Sequence, residues 1–406
     1  MAWKKVKLEK ISILLRNGAN IKQNDSKDGF PITRIETIAN GNINPFRMGY
    51  AGIVDCQKYK NYFLQDGDIL ISHINSEKHL GKCAIFKNRD DKFIHGMNLL
   101  MLRLDKEVAD PTFINYFLKS CYFINQLPKI TKKSVNQASI AIKDLKEIEV
   151  PLPPIEIQIK IAEALDKAQE FIDNRKLQLE KYDELIQSTF IDMFGDPVTN
   201  PKKWEIKRLK EISTKILSGN TPKGGSNVYT KTGIPFFRSQ NIWRNRIKYD
   251  DIVYIDETIH NSMLKSSLKN RDILITKTGR INTENSSLGR AAMFLGEDNK
   301  GNINGHVYLI RLKKCVADKF VLYIITTDKY REYIRGICVG AIDKRQINKN
   351  HLEEFPIINP PIELQNKFAS ILEVIENEKK LCEESLKQME ENFNSMIDKA
   401  FKGELF

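Results

Sequence analysis

The sequence of 406 residues lacks the features of several protein classes. No run of about 18 uncharged apolar residues is present, which argues against a membrane-spanning helix. The start from Met1 to Lys5 is charged and no apolar stretch follows it, so we expect no secretory leader and a cytoplasmic location. The cysteines form no Cys-x-x-Cys pair, which favours reduced core residues over a zinc site; they are Cys56, Cys83, Cys121, Cys315, Cys338 and Cys382.

Patterns for catalysis and cofactor binding are also missing. Gly224 and Gly225 do not belong to a phosphate loop, and the histidines are dispersed rather than spaced as metal ligands. Asn359-Pro-Pro-Ile362 approaches the Asn-Pro-Pro-aromatic motif of adenine methyltransferases, but Ile362 replaces the aromatic ring that stacks on a flipped base. The sequence therefore predicts no catalytic residue, no metal and no cofactor in this chain.

The strongest positive feature is an internal repeat. Four collinear pairs of segments match, about 200 residues apart: Trp3–Leu8 with Trp204–Leu209, Gly29–Arg34 with Gly233–Arg238, Asp68–Ser72 with Asp272–Thr276, and Gly81–Phe86 with Gly289–Phe294. Each copy then reaches a double proline, in Pro153–Gln158 and Pro360–Gln365. The chain is thus predicted to hold two copies of one domain.

A long segment without Gly or Pro follows each double proline. The segments Ile155–Phe194 and Ile362–Phe401 are predicted helices, because proline suits the first turn of a helix and Gly195 and Gly403 suit its end. Apolar residues alternate at four and three positions in both, which is typical of a coiled-coil seam. The residues predicted to pair the helices are Ile161, Leu165, Ile172, Leu179, Ile186, Phe368, Leu372, Ile375, Leu386 and Phe393.

The pairing partner of this seam has two candidates. Each apolar stripe could pack on its own globular domain, but a helix of forty residues is about 60 Å long, more than such a domain can cover. We therefore expect the two helices to pair with each other, with Arg175 and Lys379 as polar interruptions of the seam.

The net charge of +12 is unevenly distributed. Residues 1–154 contain 24 Lys and Arg against 16 Asp and Glu, and residues 195–359 contain 29 against 17. The two helical segments are acidic, each with a net charge of −4. Because the positive charge lies on the globular domains alone, a polyanion is expected to be bound at two separate places.

These motifs resemble a known family over essentially the whole chain. Gly219-Asn-Thr-Pro-Lys223, Asp272–Gly279 and Pro151–Gln158 leading into Lys160–Asp166 resemble the specificity subunits of type I restriction-modification systems. The first copy departs more from the pattern, since Ser72–Ser76 replaces the Thr-Lys-Thr-Gly turn and Gly18 is not followed by Thr-Pro.

The resemblance implies a non-catalytic subunit that binds double-stranded DNA and reads a bipartite target, one half with each domain. It also implies antiparallel helices that set the spacing and recruit two methyltransferase subunits, which carry S-adenosylmethionine; restriction or translocase subunits can join. A stand-alone methyltransferase or nuclease is the rival hypothesis. A third hypothesis is a scaffold protein whose basic charge is incidental.

Residues that would contact DNA are predicted from side-chain chemistry, since Arg, Lys, Asn and Gln read base edges and Lys, Arg, Ser and Thr bind phosphates. Three loops in each copy fit, and each residue in them is equally compatible with a solvated surface role. Arg34 and Arg238 are also compatible with a structural role, because they recur in both copies. The candidates are Thr33, Arg34, His73, Asn75, Lys132, Lys133, Asn136 and Gln137 in the first copy, and Arg238, Gln240, Asn241, Arg244, Lys277, Thr278, Arg280, Lys344, Arg345 and Gln346 in the second.

The predicted fold class is mixed α/β (α+β), with short strands alternating with helical stretches. Strands are predicted near Asp68–Ser72, Ala84–Phe86, Leu99–Leu104 and Val307–Leu312, and helices near Pro111–Leu127 and Asp318–Arg335. The predicted division is a recognition domain at 1–150, a helical region at 151–195, a second recognition domain at 196–358 and a second helical region at 359–406.

Overall fold

The computed structural model describes residues 3–24, 27–55, 57–87, 92–134, 137–280, 286–341 and 344–406. It divides into two compact units, the first made of Met1–Gln178 with Cys382–Phe406 and the second of Leu179–Leu381. Each unit therefore holds one copy of the repeat together with part of each long helix. Within these ranges, no helix has both the length and the apolar character needed to cross a membrane. Cys56 and Asn136 lie outside the described residues.

In the first unit, strands and helices alternate along the chain. The strands are β1 (Lys5–Lys7), β2 (Ser12–Asn17), β3 (Ile69–Ser72), β4 (Ile74–Asn75), β5 (Cys83–Ile85), β6 (Leu99–Leu104), β7 (Thr131–Lys133), β8 (Ala138–Ile140) and β9 (Glu149–Pro151). The helices are α1 (Leu8–Ile11), α2 (Pro111–Lys119), α3 (Cys121–Ile124), α4 (Leu127–Ile130), α5 (Ile142–Lys146) and the long helix α6 (Ile155–Phe194).

The second unit repeats this order with additional short strands. Its strands are β10 (Ile206–Arg208), β11 (Ser213–Ser218), β12 (Ile234–Phe237), β13 (Ile242–Trp243), β14 (Arg246–Ile247), β15 (Val253–Ile255), β16 (Ile273–Thr276), β17 (Thr278–Gly279), β18 (Ala291–Met293), β19 (Asn302–Ile303), β20 (Val307–Leu312), β21 (Val339–Ala341), β22 (Lys344–Gln346) and β23 (Pro356–Ile358). Its helices are α7 (Glu257–Ser262), α8 (Asp318–Thr326), α9 (Asp328–Ile337), α10 (Lys349–Glu353) and the long helix α11 (Ile362–Lys402).

The main sheet of the first unit has the strand order β2-β6-β3-β5, with antiparallel pairing throughout. Ile69 and Ile71 belong to a core that includes Phe113 of α2, whereas Leu70 belongs to a second core with Phe86. Alternate residues of a strand point to opposite faces of its sheet. Ile69, Leu70 and Ile71 of strand β3 are therefore all apolar, because both faces of this sheet are covered.

The second unit builds the same sheet, with the order β11-β20-β16-β18. Ile273 and Ile275 share a core with Phe320 of α8, and Leu274 packs with Phe294 on the other face. The repeat seen in the sequence is therefore a repeat of the whole sheet and of the helix that covers it.

An aspartate immediately before each central strand ties that strand to its neighbour. Asp68 accepts hydrogen bonds from Arg103 Nε and Nη2, both at 2.7 Å, and Asp272 accepts them from Arg311 Nε at 2.8 Å and Nη2 at 2.6 Å. Two parallel bonds of this kind fix direction as well as distance. They hold β3 to β6 and β16 to β20 at the end opposite the polar loops.

Both long helices begin directly after a double proline and end at a glycine. Gly195 has a φ of 77°, and its N–H donates to the Ile191 carbonyl at 2.8 Å. Gly403 has a φ of 81°, and the following Glu404 N–H donates to the Lys399 carbonyl at 2.9 Å. Glycine tolerates this left-handed conformation, so both predicted helix ends are set by backbone geometry.

Within the first unit, the segments of α6 and α11 pack against each other. Ile161 and Leu165 share a core with Ile397, and the Arg175 Nη1 atom lies 3.5 Å from the Cys382 sulfur. Because earlier residues of α6 meet later residues of α11, these segments run antiparallel.

Within the second unit, the other segments of the two helices pair in the same way. Ile186 and Phe190 share a core with Phe368, and Lys379 forms an ion pair with Asp183. The residues predicted to pair the helices are all buried or half-buried; they are Ile161, Leu165, Ile172, Leu179, Ile186, Phe368, Leu372, Ile375, Leu386 and Phe393. The finer knobs-into-holes geometry of a coiled coil stays a prediction.

The predicted helical stretches Pro111–Leu127 and Asp318–Arg335 are each interrupted rather than continuous. Helix α2 ends at Lys119 and α8 ends at Thr326, and a new helix begins after Ser120 and after Thr327. The Thr327 side chain accepts a hydrogen bond from the Tyr330 N–H at 3.3 Å, which caps α9. The cap marks the boundary between α8 and α9. In the first unit Ser120 makes no side-chain cap to α3, and α4 begins at Leu127, the last residue of the predicted stretch.

Candidate DNA interface

Each central strand leads directly into a second, smaller sheet made of the predicted loops. After β3 the chain forms β4, which pairs with β8, and β8 pairs with β7; we name this small sheet 1. After β16 it forms β17, which pairs with β22, and β22 pairs with β21; we name this small sheet 2. The second and third predicted loops of each copy, although distant in sequence, therefore meet in one sheet.

The register places polar residues of the two loops opposite each other in small sheet 2. Thr278 lies opposite Gln346, and Gly279 lies opposite Arg345. In small sheet 1, Asn75 and Lys133 both lie opposite Ala138, on either side of the middle strand β8. The rigid main sheet thus ends in a polar surface whose residues are spaced by strand pairing.

Lysine and amide side chains of small sheet 1 are accessible. Lys132, Lys133 and Gln137 are exposed, and Lys133 forms a 2.7 Å ion pair with Glu77 in which both side chains remain more than half exposed. Exposed pairs of this kind contribute only about 0–1 kcal/mol, so a phosphate can displace Glu77 at little cost. Asn75 donates to the Ser72 hydroxyl at 3.2 Å and accepts from the Ser76 N–H at 2.8 Å, which fixes its orientation.

His73 differs from its neighbours because it is buried. Only 6% of the residue is exposed, and this burial lowers the pKa of its imidazole. The ring is therefore neutral at pH 7 and does not act as a cation toward phosphate. Its Nδ1 atom has no hydrogen-bond partner among the residues that the structure describes.

Small sheet 2 exposes a denser set of cations. Arg280, Lys344 and Gln346 are exposed, whereas Lys277 and Thr278 are half-buried. The Lys277 ammonium lies 5.6 Å from the centre of the Tyr308 ring. Arg345 donates from Nη1 to the Cys338 carbonyl at 3.2 Å, which anchors its guanidinium beside the end of α9.

The first predicted loop of each copy is held within its domain. Thr33 is fully buried, and its hydroxyl accepts from the Gly96 N–H at 3.0 Å. Arg34 is half-buried and donates from Nε to the Gln23 side chain. Arg238 has a side chain only 17% exposed and forms a 3.0 Å ion pair with Asp251. These contacts give the three predicted residues structural roles in the loop, and we do not include them in the proposed interface.

The remaining residues of this loop divide between buried and exposed positions. Asn241 is buried and accepts from the Arg238 N–H at 2.9 Å, whereas Gln240 is exposed and donates to Asp251 at 2.8 Å. Arg244 is exposed and forms a 2.8 Å ion pair with Asp328. Of these, Arg244 is the predicted residue best placed to meet a ligand, while Asn241 orders the turn.

Two further residues, Thr37 in the first unit and Trp243 in the second, belong to the equivalent turns and were not among the predicted candidates. Thr37 is the counterpart of Asn241, since its hydroxyl accepts from the Arg34 N–H at 2.8 Å. Trp243 carries two cations on its ring, Lys248 and Arg290, with 3.6 Å and 4.0 Å to the ring centre. Extending the repeat alignment beyond Arg34 and Arg238 would have identified the first of these; the second depends on contacts distant in sequence.

The string that approaches a methyltransferase motif serves as a helix start. Asn359 donates from its backbone to the Glu205 carbonyl at 2.7 Å, and its side-chain oxygen accepts from Gln365 at 3.4 Å. Both contacts lie inside the second unit and fix the entry of α11. Among the described residues, no group of three or more His, Cys, Asp or Glu side chains is arranged to hold a metal ion.

Comparisons with known proteins agree with this organisation. The model of the type I restriction modification DNA specificity domain matches residues 2–181 and 201–391, one match for each copy of the repeat. The chain is 30% identical over 417 residues to the type I restriction enzyme MjaX specificity subunit of Methanocaldococcus jannaschii, covering 99% of this chain and 93% of that protein. It is 23% identical to the StySPI specificity subunit of Salmonella potsdam, covering 99% and 89% of the two chains.

Two solved structures share the fold. One concerns complex assembly and conformational transition of the type I R-M system, with a TM-score of 0.58, 19% identity and coverage of 100% of this chain and 98% of the other. The second is the type I restriction-modification S subunit from M. genitalium, with a TM-score of 0.58, 16% identity and coverage of 98% and 96%. The predicted α/β fold with two domains and long helices is confirmed, as is the prediction of a specificity subunit rather than an enzyme. The chain belongs to the family of DNA specificity subunits of type I restriction-modification systems.

Proposed function

We propose that each recognition domain reads one half of a bipartite DNA target through its small sheet. The observation that carries this proposal is the repetition of one architecture with different polar residues. By strand order and register, Asn75 of β4 corresponds to Gly279 of β17, and Lys132 and Lys133 of β7 correspond to Val339 and Gly340 of β21. The middle strand is Ala138–Ile140 in small sheet 1 and Lys344–Gln346 in small sheet 2. A conserved frame with changed side chains is suited to two different half-sites.

The chemistry of these side chains supports DNA as the ligand. Amides and guanidinium groups make bidentate contacts with base edges, and lysines and threonines bind phosphates. Net charges of +8 and +12 on the regions 1–154 and 195–359 would attract a duplex to both domains. We propose Asn75 and Gln137, and Arg345 and Gln346, as base-reading residues, with Lys132, Lys133, Lys277, Arg280 and Lys344 on the backbone.

The long helices are proposed to set the distance between the two half-sites. Their acidic surfaces, each with a net charge of −4, would disfavour contact with DNA and leave them accessible to protein partners. We propose that two methyltransferase subunits bind there and carry S-adenosylmethionine, and that restriction subunits join the same cytoplasmic complex. The antiparallel packing within each unit supports a pair of matched docking faces, one for each methyltransferase subunit.

The test of this proposal is a domain exchange. Residues 1–150 are replaced with the matching domain of a related specificity subunit, and the modified adenines are mapped in a host that expresses the methyltransferase subunits. We expect one half of the recognised sequence to change and the other half and the spacer to stay. The reciprocal exchange of residues 196–358 is the matched control and should change the other half. A change in both halves after either exchange would contradict modular reading.

A further inference from the structure

A tryptophan in the second unit carries cations on its ring. Trp243 ends β13, and the Lys248 ammonium and the Arg290 guanidinium lie 3.6 Å and 4.0 Å from its ring centre. Its indole N–H donates to the Gln240 carbonyl at 3.0 Å, and Arg290 donates to the Ser286 carbonyl at 3.0 Å. Cation–π contacts at such distances hold the two cations in fixed positions.

Helix α9 brings further arginines to the same place. Arg331 and Arg335 are four residues apart, which puts them on one face of the helix. Burial and then the neighbouring cations Arg244, Arg335 and Arg290 lower the pKa of Arg331, while Asp328 opposes this effect. We call Arg244, Lys248, Arg331 and Arg335 the cation cluster; Arg290 contacts the Trp243 ring but is only 8% exposed and is not counted in it.

The equivalent turn of the first unit has the same backbone but a different set of cations, because Lys82 and Lys119 donate to its Ala39 and Gly41 carbonyls, both at 3.0 Å. The Asn44 N–H donates to the Thr37 carbonyl at 2.8 Å, as the Lys248 N–H donates to the Asn241 carbonyl at 2.8 Å. Gly41 and Asn245 hold the same left-handed position, with φ of 77° and 57°. On this alignment, the residues at the positions of Trp243, Arg244, Arg246 and Lys248 are Ala39, Asn40, Asn42 and Asn44.

Bringing like charges together destabilises a folded domain unless something offsets their repulsion. Asp328, whose side chain is 82% exposed, pairs with Arg244 and neutralises one of these cations. The cluster also adjoins small sheet 2, because α9 leads to Cys338, whose carbonyl accepts from Arg345 at 3.2 Å. A polyanion that lies on small sheet 2 would therefore reach the cluster and relieve the repulsion.

We propose that the cation cluster binds phosphates of the DNA backbone and that the second domain is the electrostatic anchor of the subunit on DNA. The inference rests on the proposed function and goes beyond it by assigning unequal roles to the two domains. The second domain holds the duplex through phosphates as well as through its small sheet. The first domain has amides at the same turn and two lysines that donate to backbone carbonyls there, so it contributes less to affinity and depends more on its base contacts.

The test measures how binding of the full-length chain to a mixed-sequence DNA duplex depends on salt. One variant carries Arg244→Gln, Arg331→Gln and Arg335→Gln, and a second carries lysine at the same three positions. A control removes three exposed lysines of the same domain with Lys300→Gln, Lys313→Gln and Lys314→Gln. We expect the slope of log K against log salt to fall by about 2 to 3 in the first variant, because each phosphate contact adds about 0.9. The lysine variant and the control should keep the slope.

The outcomes separate this inference from the function on which it rests. If the unaltered chain shows no salt-dependent binding to the duplex, the proposed function itself fails. If the unaltered chain binds but the glutamine variant and the control lose the same slope, the anchor does not exist and only net charge matters. A glutamine variant that keeps its slope but no longer assembles with methyltransferase subunits would make the cluster a protein-docking surface and overturn the proposal. The lysine variant keeps every charge, so a loss of salt dependence in this variant as well would indicate misfolding rather than the removal of phosphate contacts.

Discussion

A buried glutamine follows each double proline and joins the long helix to its domain. Gln365 is 1% exposed; its amide nitrogen donates to the Pro360 carbonyl at 2.8 Å, and its oxygen accepts from the Ala317 N–H at 3.0 Å. Gln158 does the same in the first unit, with Pro153 and Asp110. The recurrence of this glutamine in both copies is visible in the sequence, but the N–H group that donates to its side-chain oxygen lies 48 residues away, and no local pattern reveals it.

We expect Gln365→Ala to destabilise the second unit by about 1–3 kcal/mol, because the buried Ala317 N–H loses its acceptor. Urea unfolding of the full-length chain, with a probe in the second unit, measures the change. Gln187→Ala on the exposed surface of α6 is the matched control and should change stability by less than about 0.5 kcal/mol. Equal effects of the two substitutions would show that Gln365 does not fix the helix.

A buried histidine makes the first unit sensitive to acid. His95 is fully buried, its Nε2 lies 2.9 Å from the Leu99 carbonyl oxygen, and burial lowers its pKa to about 4. The unfolded chain, with the ordinary value of 6.5, binds a proton that the folded unit does not bind until about pH 4. The stability that the neutral ring provides is therefore complete above pH 6.5 and is lost as pH falls toward 4.

The shift corresponds to roughly 3 kcal/mol over this window. We expect His95→Gln to flatten the pH dependence of unfolding of the first unit, as measured by urea midpoints across the window. His306→Gln, at an exposed position of the second unit, is the control and should leave the dependence in place. The idea fails if the His95 variant and the unaltered chain lose stability in parallel as pH falls.

The long helices, whose ends are set by neighbouring residues, were predicted correctly from the sequence. The short strands, which form only by pairing with distant segments, could not be predicted. Helix α6 spans the predicted Ile155–Phe194, because a double proline and a glycine set its ends. Strands β4 and β17 have only two residues each and pair with strands more than sixty residues further along the chain. Two residues are too few to show the alternation of apolar and polar residues that predicts a strand. The amino-acid composition identified the loops of the candidate interface. It did not predict that the second and third loops pair in one sheet, because that pairing joins segments distant in sequence.

Small sheet 2 depends on a glycine opposite its middle strand. Gly340 has a φ of 118°, and a Cβ at this position would lie 2.6 Å from the Lys344 carbonyl oxygen. We expect Gly340→Ala to distort the pairing of β21 with β22 and to weaken DNA binding about tenfold, comparable to the loss of one base contact of roughly 1–3 kcal/mol. Fluorescence anisotropy with a duplex that contains the mapped target measures the loss.

Gly336→Ala supplies the matched control within α9. A Cβ there would meet open space, so the substitution should preserve DNA binding and stabilise the helix by up to about 1 kcal/mol. If Gly340→Ala bound the target as tightly as Gly336→Ala does, small sheet 2 would not be the contact surface.

At the scale of the whole molecule, each long helix contributes to both compact units. The first unit includes α6 up to Gln178 and α11 from Cys382, and the second includes the intervening segments. The four-part division predicted from sequence, with helical regions at 151–195 and 359–406, follows the chain rather than this partition. The predicted division and the two compact units differ because each half of a long helix packs on a different domain and therefore belongs to that domain's unit.

If the long helices set the distance between the two half-sites, lengthening both helices should lengthen the spacer of the DNA target. Duplicating Ile172–Gln178 in α6 and Ile375–Leu381 in α11 adds seven residues to each helix and keeps the four-three phase of the seam. The added length of about 10.5 Å corresponds to about three base pairs, so mapping of modified adenines should find both half-sites unchanged and the spacer about three base pairs longer. Adding four residues to each helix at the same points is the control, since it shifts the seam and should abolish recognition of the two-part target. An unchanged spacer in the seven-residue variant would contradict this role of the helices, because the distance between the half-sites would then be set by the domains.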